Sequence, residues 1–348
     1  MAQPYRPVSV YSWHQQQWRD VLQRRTALPH ALLFHGREGI GKLDFVRKLA
    51  QSLACVTPEP DGAACGGCLS CRWFTAGNHP DYRELLPEAM RAGDADQALA
   101  DGRKPRLEMV IEEVRELQDF INLTANHHNG KAIVVYPAEN LNVNAANALL
   151  KNLEEPPPGT RFMLVSHRPS YLPATIISRC QQIALPTPHA AAAEGWLREQ
   201  GITDPALSLA QTGNAPLAAL TLADDEFWAQ RNTLLGKLGG SKVDPLALAE
   251  QVREFPVSRL LGWLQRWTYD LLSVKSVDRV RYNPDFEMEL RRIAAHLRAP
   301  DIARCHRALV QQQREVDHPL NARLFIEHLL LSYAALLRGE PADANYMG

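Results

Sequence analysis

The feature that most limits the fold is an apolar run that passes at once into a glycine-rich turn. Ala31-Leu-Leu-Phe-His35 leads into Gly36-Arg-Glu-Gly39-Ile-Gly41-Lys42-Leu43, and a helix-like stretch over 42–54 follows. Strand, glycine loop and helix in this order form a phosphate-binding loop. Gly36, Gly39 and Gly41 let backbone N–H groups converge on an anion, and Lys42 adds charge at the helix N-terminus. The last position departs from the pattern. A hydrolysing loop needs a Ser or Thr hydroxyl there to hold magnesium, and Leu43 has no side-chain oxygen.

The first half of the chain keeps alternating short apolar runs with helical patterns, which predicts a parallel sheet covered by helices. Candidate strands are Ala31–His35, Tyr82–Leu86, Ala132–Tyr136, Phe162–Ser166 and Gln182–Leu185, with helices near 42–54, 109–125, 143–154 and 172–178. A second phosphate-chemistry element would be an apolar strand ending in Asp-Glu. Ile133-Val134-Val135 ends instead in Tyr136-Pro137, with Glu139 the nearest acid, so hydrolysis is not expected. The stretch 91–105 is rich in Gly, Asp and Ala without apolar periodicity and is expected to be a mobile surface insertion.

Strand signals stop after Pro186 and Pro188, and the remainder reads as helical. Val257, Leu260, Leu261, Leu264, Trp267 and Leu271 form one amphipathic face, and Leu320, Leu324, Phe325, His328, Leu329 and Tyr333 form another. Trp263 and Trp267 are read as packing residues rather than base-stacking platforms.

Cys55, Cys65, Cys68 and Cys71 fall within one short segment with Gly62, Gly66 and Gly67 among them. Four thiolates at this density predict a closed, structural zinc site that folds a loop without taking part in catalysis. Only Arg72 is basic there, which argues against a zinc-dependent nucleic-acid binder. Lys plus Arg is 38 against 39 Asp plus Glu, a net charge of -1, so no global attraction to nucleic acid is expected. No run is long enough to span a membrane, and MAQPYRPVSVYSWHQQQW lacks signal-peptide features, so a cytoplasmic location with reduced cysteines is expected. Cys180 and Cys305 are isolated and expected to be packed.

Taken together, Pro29-His-Ala-Leu-Leu-Phe34, Asn147-Ala-Leu-Leu-Lys-Asn-Leu-Glu-Glu-Pro156-Pro-Pro, Phe162-Met-Leu-Val-Ser166 and Leu172-Pro-Ala-Thr-Ile-Ile-Ser-Arg-Cys180 closely resemble the AAA+ subunits of bacterial clamp loaders. The tail from Asn321 to Leu330 is similar to their collar helices. The resemblance implies a RecA-like α/β domain over 1–187 carrying the zinc module 55–71. A helical lid over 188–223 and an all-α collar over 224–348 would follow. Among these subunits the delta-prime type of DNA polymerase III has a degenerate nucleotide site, as Leu43 and Tyr136-Pro137 suggest here, and Gly213–Leu220 lacks the lid arginine. Lys42 is retained, so weak or no ATP binding at Gly36, Gly39, Gly41 and Lys42 is implied. The same likeness makes Arg179 a catalytic arginine finger acting on the ATP of a neighbouring gamma/tau subunit. Gamma/tau and delta are the implied partners, with the sliding clamp and primed DNA reached through the complex. The alternatives are an active ATPase of gamma/tau type using Lys42 with an acid such as Glu139, and a plain salt bridge for Arg179.

Overall fold

A computed structural model describes residues 10–91, 93–123, 130–240, 242–313, 316 and 321–339. The chain divides into two compact units, Met1–Ala192 and Ala193–Gly348.

In the first unit the elements run α1 (Gln15–Gln23), β1 (Ala31–His35), α2 (Lys42–Ala54), α3 (Leu69–Thr75), β2 (Tyr82–Leu85), α4 (Asp94–Ala100) and α5 (Ile111–Asn122). After these come β3 (Lys131–Val135), α6 (Val143–Glu154), β4 (Thr160–Ser166), α7 (Ala174–Ile177) and β5 (Gln181–Ala184). The five strands form one parallel sheet in the order β2-β3-β4-β1-β5. All five expected strands are present, within a residue or two of their expected ends, in the expected RecA-like α/β arrangement. The inner strands β1, β3 and β4 are almost wholly apolar because helices cover both faces. The edge strands are different. β5 is mostly exposed, and β2 carries Glu84, clamped by both ends of the Arg47 guanidinium at 2.6 and 2.7 Å. Polar edges discourage pairing with another chain.

Each sheet face has its own packing. Val114, Leu117, Phe120 and Ile121 of α5 and Ala145, Leu149 and Leu153 of α6 bury against one face. Asn142 caps α6 by accepting from the Ala145 N–H at 2.8 Å. Elsewhere in the unit Phe45 of α2 is surrounded by rings: Trp18 at 5.4 Å and His14 at 5.8 Å edge-on, and Phe34 at 5.7 Å. The segment 91–105 departs from the sequence expectation. It contains α4 with Ala98 buried, and Arg103 makes a two-pronged pair with Glu88 at 2.6 and 2.7 Å. Arginine–carboxylate pairing anchors a segment too poor in apolar residues to show a hydrophobic pattern.

The second unit is helical: α8 (Ala190–Glu199, beginning at the boundary), α9 (Pro205–Thr212), α10 (Pro216–Leu220), α11 (Asp225–Leu238) and α12 (Pro245–Gln251). The last four are α13 (Val257–Val277), α14 (Glu287–His296), α15 (Ala299–Gln312) and α16 (Ala322–Arg338). Ala193, Leu197, Leu209 and Ala219 make a small core, and α11 to α16 share a larger one centred on Trp263, Trp267 and Tyr333. Both tryptophans are buried as expected, and the Trp267 indole N–H donates to the Tyr333 hydroxyl at 2.9 Å. Leu324 was expected on the α16 core face but is 61% exposed, since Phe325, Ile326, Leu329, Leu330 and Tyr333 already fill that side. Leu320 lies outside the described residues.

A buried polar network threads this unit. The Asp270 carboxylate accepts backbone N–H bonds from Arg281, Tyr282 and Asn283 at 2.8–3.1 Å, and one from the Asn283 side chain at 2.9 Å. Asn283 Oδ1 accepts in turn from Gln211 of α9 and Arg231 of α11, and Arg231 is paired with Asp285. Burial raises the Asp270 pKa, opposed by these donors. Asp270→Ala is therefore expected to destabilise the protein by ~3–5 kcal/mol, because four donors lose their acceptor. Urea unfolding checks this, and a loss below about 1 kcal/mol would show the network to be dispensable.

His14 gives a pH prediction. Burial holds its pKa at about 4, with the Lys42 charge adding and the Pro186 carbonyl opposing. The unfolded imidazole takes its proton near pH 6.5, so stability is full above that value. It should fall as the pH drops toward 4, by up to ~3 kcal/mol. His14→Phe should flatten that part of the stability–pH curve.

Candidate functional site

The parallel sheet gives the first unit two chemically distinct edges. β1 ends at His35, so the glycine loop lies at the C-terminal edge, where α/β sheets bind ligands. The turn is sterically committed. A Cβ on Gly36 would meet the Leu185 carbonyl oxygen at 2.4 Å, and one on Gly41 would meet the Tyr11 ring at 2.4 Å. Tyr11 stacks on Trp13 at 4.8 Å, its hydroxyl donates to Asp44 at 3.0 Å, and the Trp13 indole donates to the Ile40 carbonyl at 3.0 Å. The segment before α1 is thus fastened to the loop and to the first turn of α2 by two hydrogen bonds and by the Tyr11 ring beside Gly41.

Lys42 begins α2 and is 2% exposed. Its ammonium donates to the Arg37 carbonyl at 2.6 Å and reaches His167 Nδ1 at 2.7 Å. His167 follows β4, and its ring meets Tyr136 edge-on at 5.3 Å. With the ammonium donating, Nδ1 is the unprotonated nitrogen of that imidazole. Burial lowers the Lys42 pKa to about 8, against the raising effect of Glu139 and Glu38. Burial also lowers His167 and His35, with the Lys42 charge adding to both.

Neither Leu43 nor Tyr136 brings a carboxylate or an aliphatic hydroxyl to this edge. Leu43 stands at the hydroxyl position, and Tyr136 follows β3, its phenol pushed up to about 12 by burial. Glu139 spends one carboxylate oxygen on the backbone N–H groups of His167, at 2.9 Å, and Arg168, at 3.2 Å.

The four cysteines converge at the junction of α2 and α3. Cys55 ends α2, Cys68 caps α3 and Cys71 lies in its first turn. Their sulfur atoms all lie within 4.8 Å of one another, with Cys55 Sγ at 3.6 Å from Cys65 and 3.8 Å from Cys68. A tetrahedral thiolate site with metal–sulfur bonds near 2.3 Å needs sulfurs ~3.8 Å apart, so the cluster fits a metal ion. Backbone N–H groups of Cys65, Cys68 and Cys71 each point at a sulfur at 3.4 Å, the arrangement that stabilises thiolates. Thr57 leads the effects that lower Cys65 to about 6, while burial raises Cys71. Cys180 and Cys305 are buried apart from this group, as expected.

Arg179 belongs to the opposite edge. Gln181 pairs with Leu32, and Arg179 precedes it, so roughly 10 Å of β1 separates its level from the loop. The guanidinium folds back on α7: Nη1 donates to the Thr175 carbonyl at 2.8 Å and to Ser178 Oγ at 3.3 Å, and Nη2 pairs with Glu154 at the end of α6.

Lys42, Arg179 and the cysteines were legible as candidates in the sequence, whereas His167, Tyr11 and Glu154 were not. His167 carried one usable signal, its place directly after an inner strand at the ligand edge. Tyr11 carried none, because its contact with Gly41 spans thirty residues of chain.

The family model described as DNA polymerase III, delta subunit, matches residues 14–189, and its C-terminal companion matches 225–334. The DNA polymerase III subunit delta' of Pseudomonas aeruginosa is 35% identical over 344 residues, taking in 94% of this chain and 98% of that one. The subunit delta' of Escherichia coli is 31% identical over 312 residues, 87% and 88% of the two chains. A solved DNA polymerase III gamma subunit-related protein of Thermotoga maritima matches with a TM-score of 0.42 and 18% identity, over 92% of this chain and 100% of that one.

Reduced, freshly purified protein is expected to carry about one divalent metal ion per chain by elemental analysis. Cys68→Ser should lower that content and make residues 55–71 more sensitive to protease. Less than about half an equivalent of metal in the unsubstituted protein would remove the case for a metal centre.

Proposed function

The chain belongs to the delta-prime family of DNA polymerase III subunits, and we propose that it is the non-hydrolysing member of the clamp loader, supplying Arg179 in trans. The observation that carries this reading is the separation of Arg179 from the chain's own loop by the parallel sheet. An arginine finger stabilises charge developing on a transferred phosphoryl group only where it can touch it. The loop at the other edge offers no magnesium ligand at Leu43 or Tyr136, and its lysine is already engaged by Arg37 and His167. These features support weak or no ATP binding at Gly36, Gly39, Gly41 and Lys42.

Arg179 then acts on ATP held by an adjoining gamma/tau subunit. The partners in this reading are gamma/tau and delta, and the sliding clamp and primed DNA are met through the assembled complex. Residues 188–223 form the lid and 224–348 the collar through which the subunits join. Zinc is the ion proposed for Cys55, Cys65, Cys68 and Cys71, because four soft thiolates with a closed shell favour it. Its role is to hold the segment between α2 and α3. No helix among the described residues is long and apolar enough to cross a membrane, which accords with work in the cytoplasm.

The test is Arg179→Ala in a complex reconstituted with gamma/tau and delta. The variant should fold and assemble, yet lose roughly a third of the clamp- and DNA-stimulated ATP hydrolysis if three ATPase sites contribute equally. Arg179→Lys should not restore it, since an ammonium lacks the planar fork. Stimulated hydrolysis and clamp loading at unmutated rates would refute the trans-acting role.

A further inference from the structure

Arg179 is not presented free. Both terminal nitrogens of its guanidinium are taken by acceptors of its own chain, Nη1 by the Thr175 carbonyl and Ser178 Oγ, and Nη2 by Glu154. The position of Glu154 is unusual for helix electrostatics. It is the last residue of α6, where the partial negative charge of the helix end disfavours a carboxylate. Lys151 in the same last turn suits the helix end, whereas Glu154 does not, and its carboxylate is paired with the arginine of the next corner instead. The α6 end is itself fixed, because His30 at the N-terminal edge of the sheet meets the Leu153 carbonyl at 2.8 Å. The carboxylate is thus held at a set place beside the α7–β5 corner.

We propose that Glu154 is a positioning residue that keeps Arg179 turned back on its own chain until a neighbour's ATP phosphate displaces the carboxylate. The inference rests on the reading of Arg179 as a trans-acting finger. The exchange is balanced: the guanidinium stays protonated throughout and trades one anionic acceptor for another. Glu154 is half exposed and Arg179 a third exposed, so water screens the pair and the hold is light. A triphosphate carries several negative charges and outcompetes a single screened carboxylate once the subunits close. Before closure, the carboxylate lowers the fraction of time the guanidinium points outward. Glu154 therefore suppresses hydrolysis by a loader that has not yet met clamp and DNA, and matters little once it has.

The experiment compares ATP hydrolysis by the reconstituted complex, with and without clamp and primed DNA, for Glu154→Gln, Glu154→Ala, Arg179→Ala and the double variant Glu154→Gln/Arg179→Ala. Both Glu154 variants are expected to raise the unstimulated rate at the site that Arg179 serves ~2- to 5-fold, about 1.3- to 2.3-fold for the complex if three sites contribute equally, and leave the stimulated rate near its usual value. The ratio of the two rates then falls, which a merely structural role would not produce. In the double variant the gain should vanish, because the carboxylate acts only through the arginine. If Arg179→Ala lowers the stimulated rate but the Glu154 variants lower both rates or leave their ratio unchanged, the holding role is wrong and the finger stands. If Arg179→Ala has no effect, the finger reading fails and this inference fails with it. Glu154→Gln preserves side-chain volume at a half-exposed site, so an unchanged melting temperature should accompany every one of these readouts.

Discussion

Parallel pairing of β1 with both β4 and β5 is the constraint on which the rest of the first unit depends. In a parallel sheet all strands end on the same edge, so every loop that follows a strand gathers there and every loop that precedes one gathers at the other. The glycine turn after β1, Tyr136 after β3 and His167 after β4 meet at the first edge. Arg179, which precedes β5, is consigned to the second. The glycine turn and Arg179 are thereby kept apart by strand polarity alone.

At the loop edge the dominant effect is desolvation. Burying an ammonium is costly unless its donors are satisfied, and here the Arg37 carbonyl and His167 satisfy Lys42 from within the chain. The retained lysine therefore has a structural explanation that does not need a bound nucleotide. The same economy applies to Glu139, whose oxygen shapes the turn after β4, and to Tyr11, whose ring fills the space beside Gly41. The glycine loop of this protein is a packed and internally bonded piece of the fold.

The second unit uses polar burial for a different end. Asp270 and Arg231 are both fully buried, and each meets several partners that offset the cost of leaving water, although Arg231 Nε itself is left without one. Because Asn283 accepts from both α9 and α11, the network joins the small helical core to the larger one by directional bonds. Apolar contacts tolerate sliding, whereas a buried hydrogen-bond network has one good geometry.

The amino-acid sequence by itself determined the strand–helix alternation, the apolar inner strands, the glycine turn, the lack of a hydroxyl at Leu43 and of an acidic pair after β3, and the cysteine grouping. Each of these is local, readable from residue type and spacing within a few turns of chain. Leu43 lacks an oxygen in any fold, and Cys65, Cys68 and Cys71 are near one another in any compact turn. Contacts across long stretches of chain were decided only by the tertiary structure. Lys42 meets His167 across 125 residues, Tyr11 meets Asp44 across 33, and Arg231 meets Asp285 across 54. The segment 91–105 shows the same limit, since its helix is held by Arg103 on Glu88 and carries almost no apolar pattern. Periodicity reports which face of an element is buried, and it carries no information about which distant polar group will be waiting there. That choice follows from strand order and packing, which is why Arg179 could be singled out from its motif while the carboxylate that holds it could not.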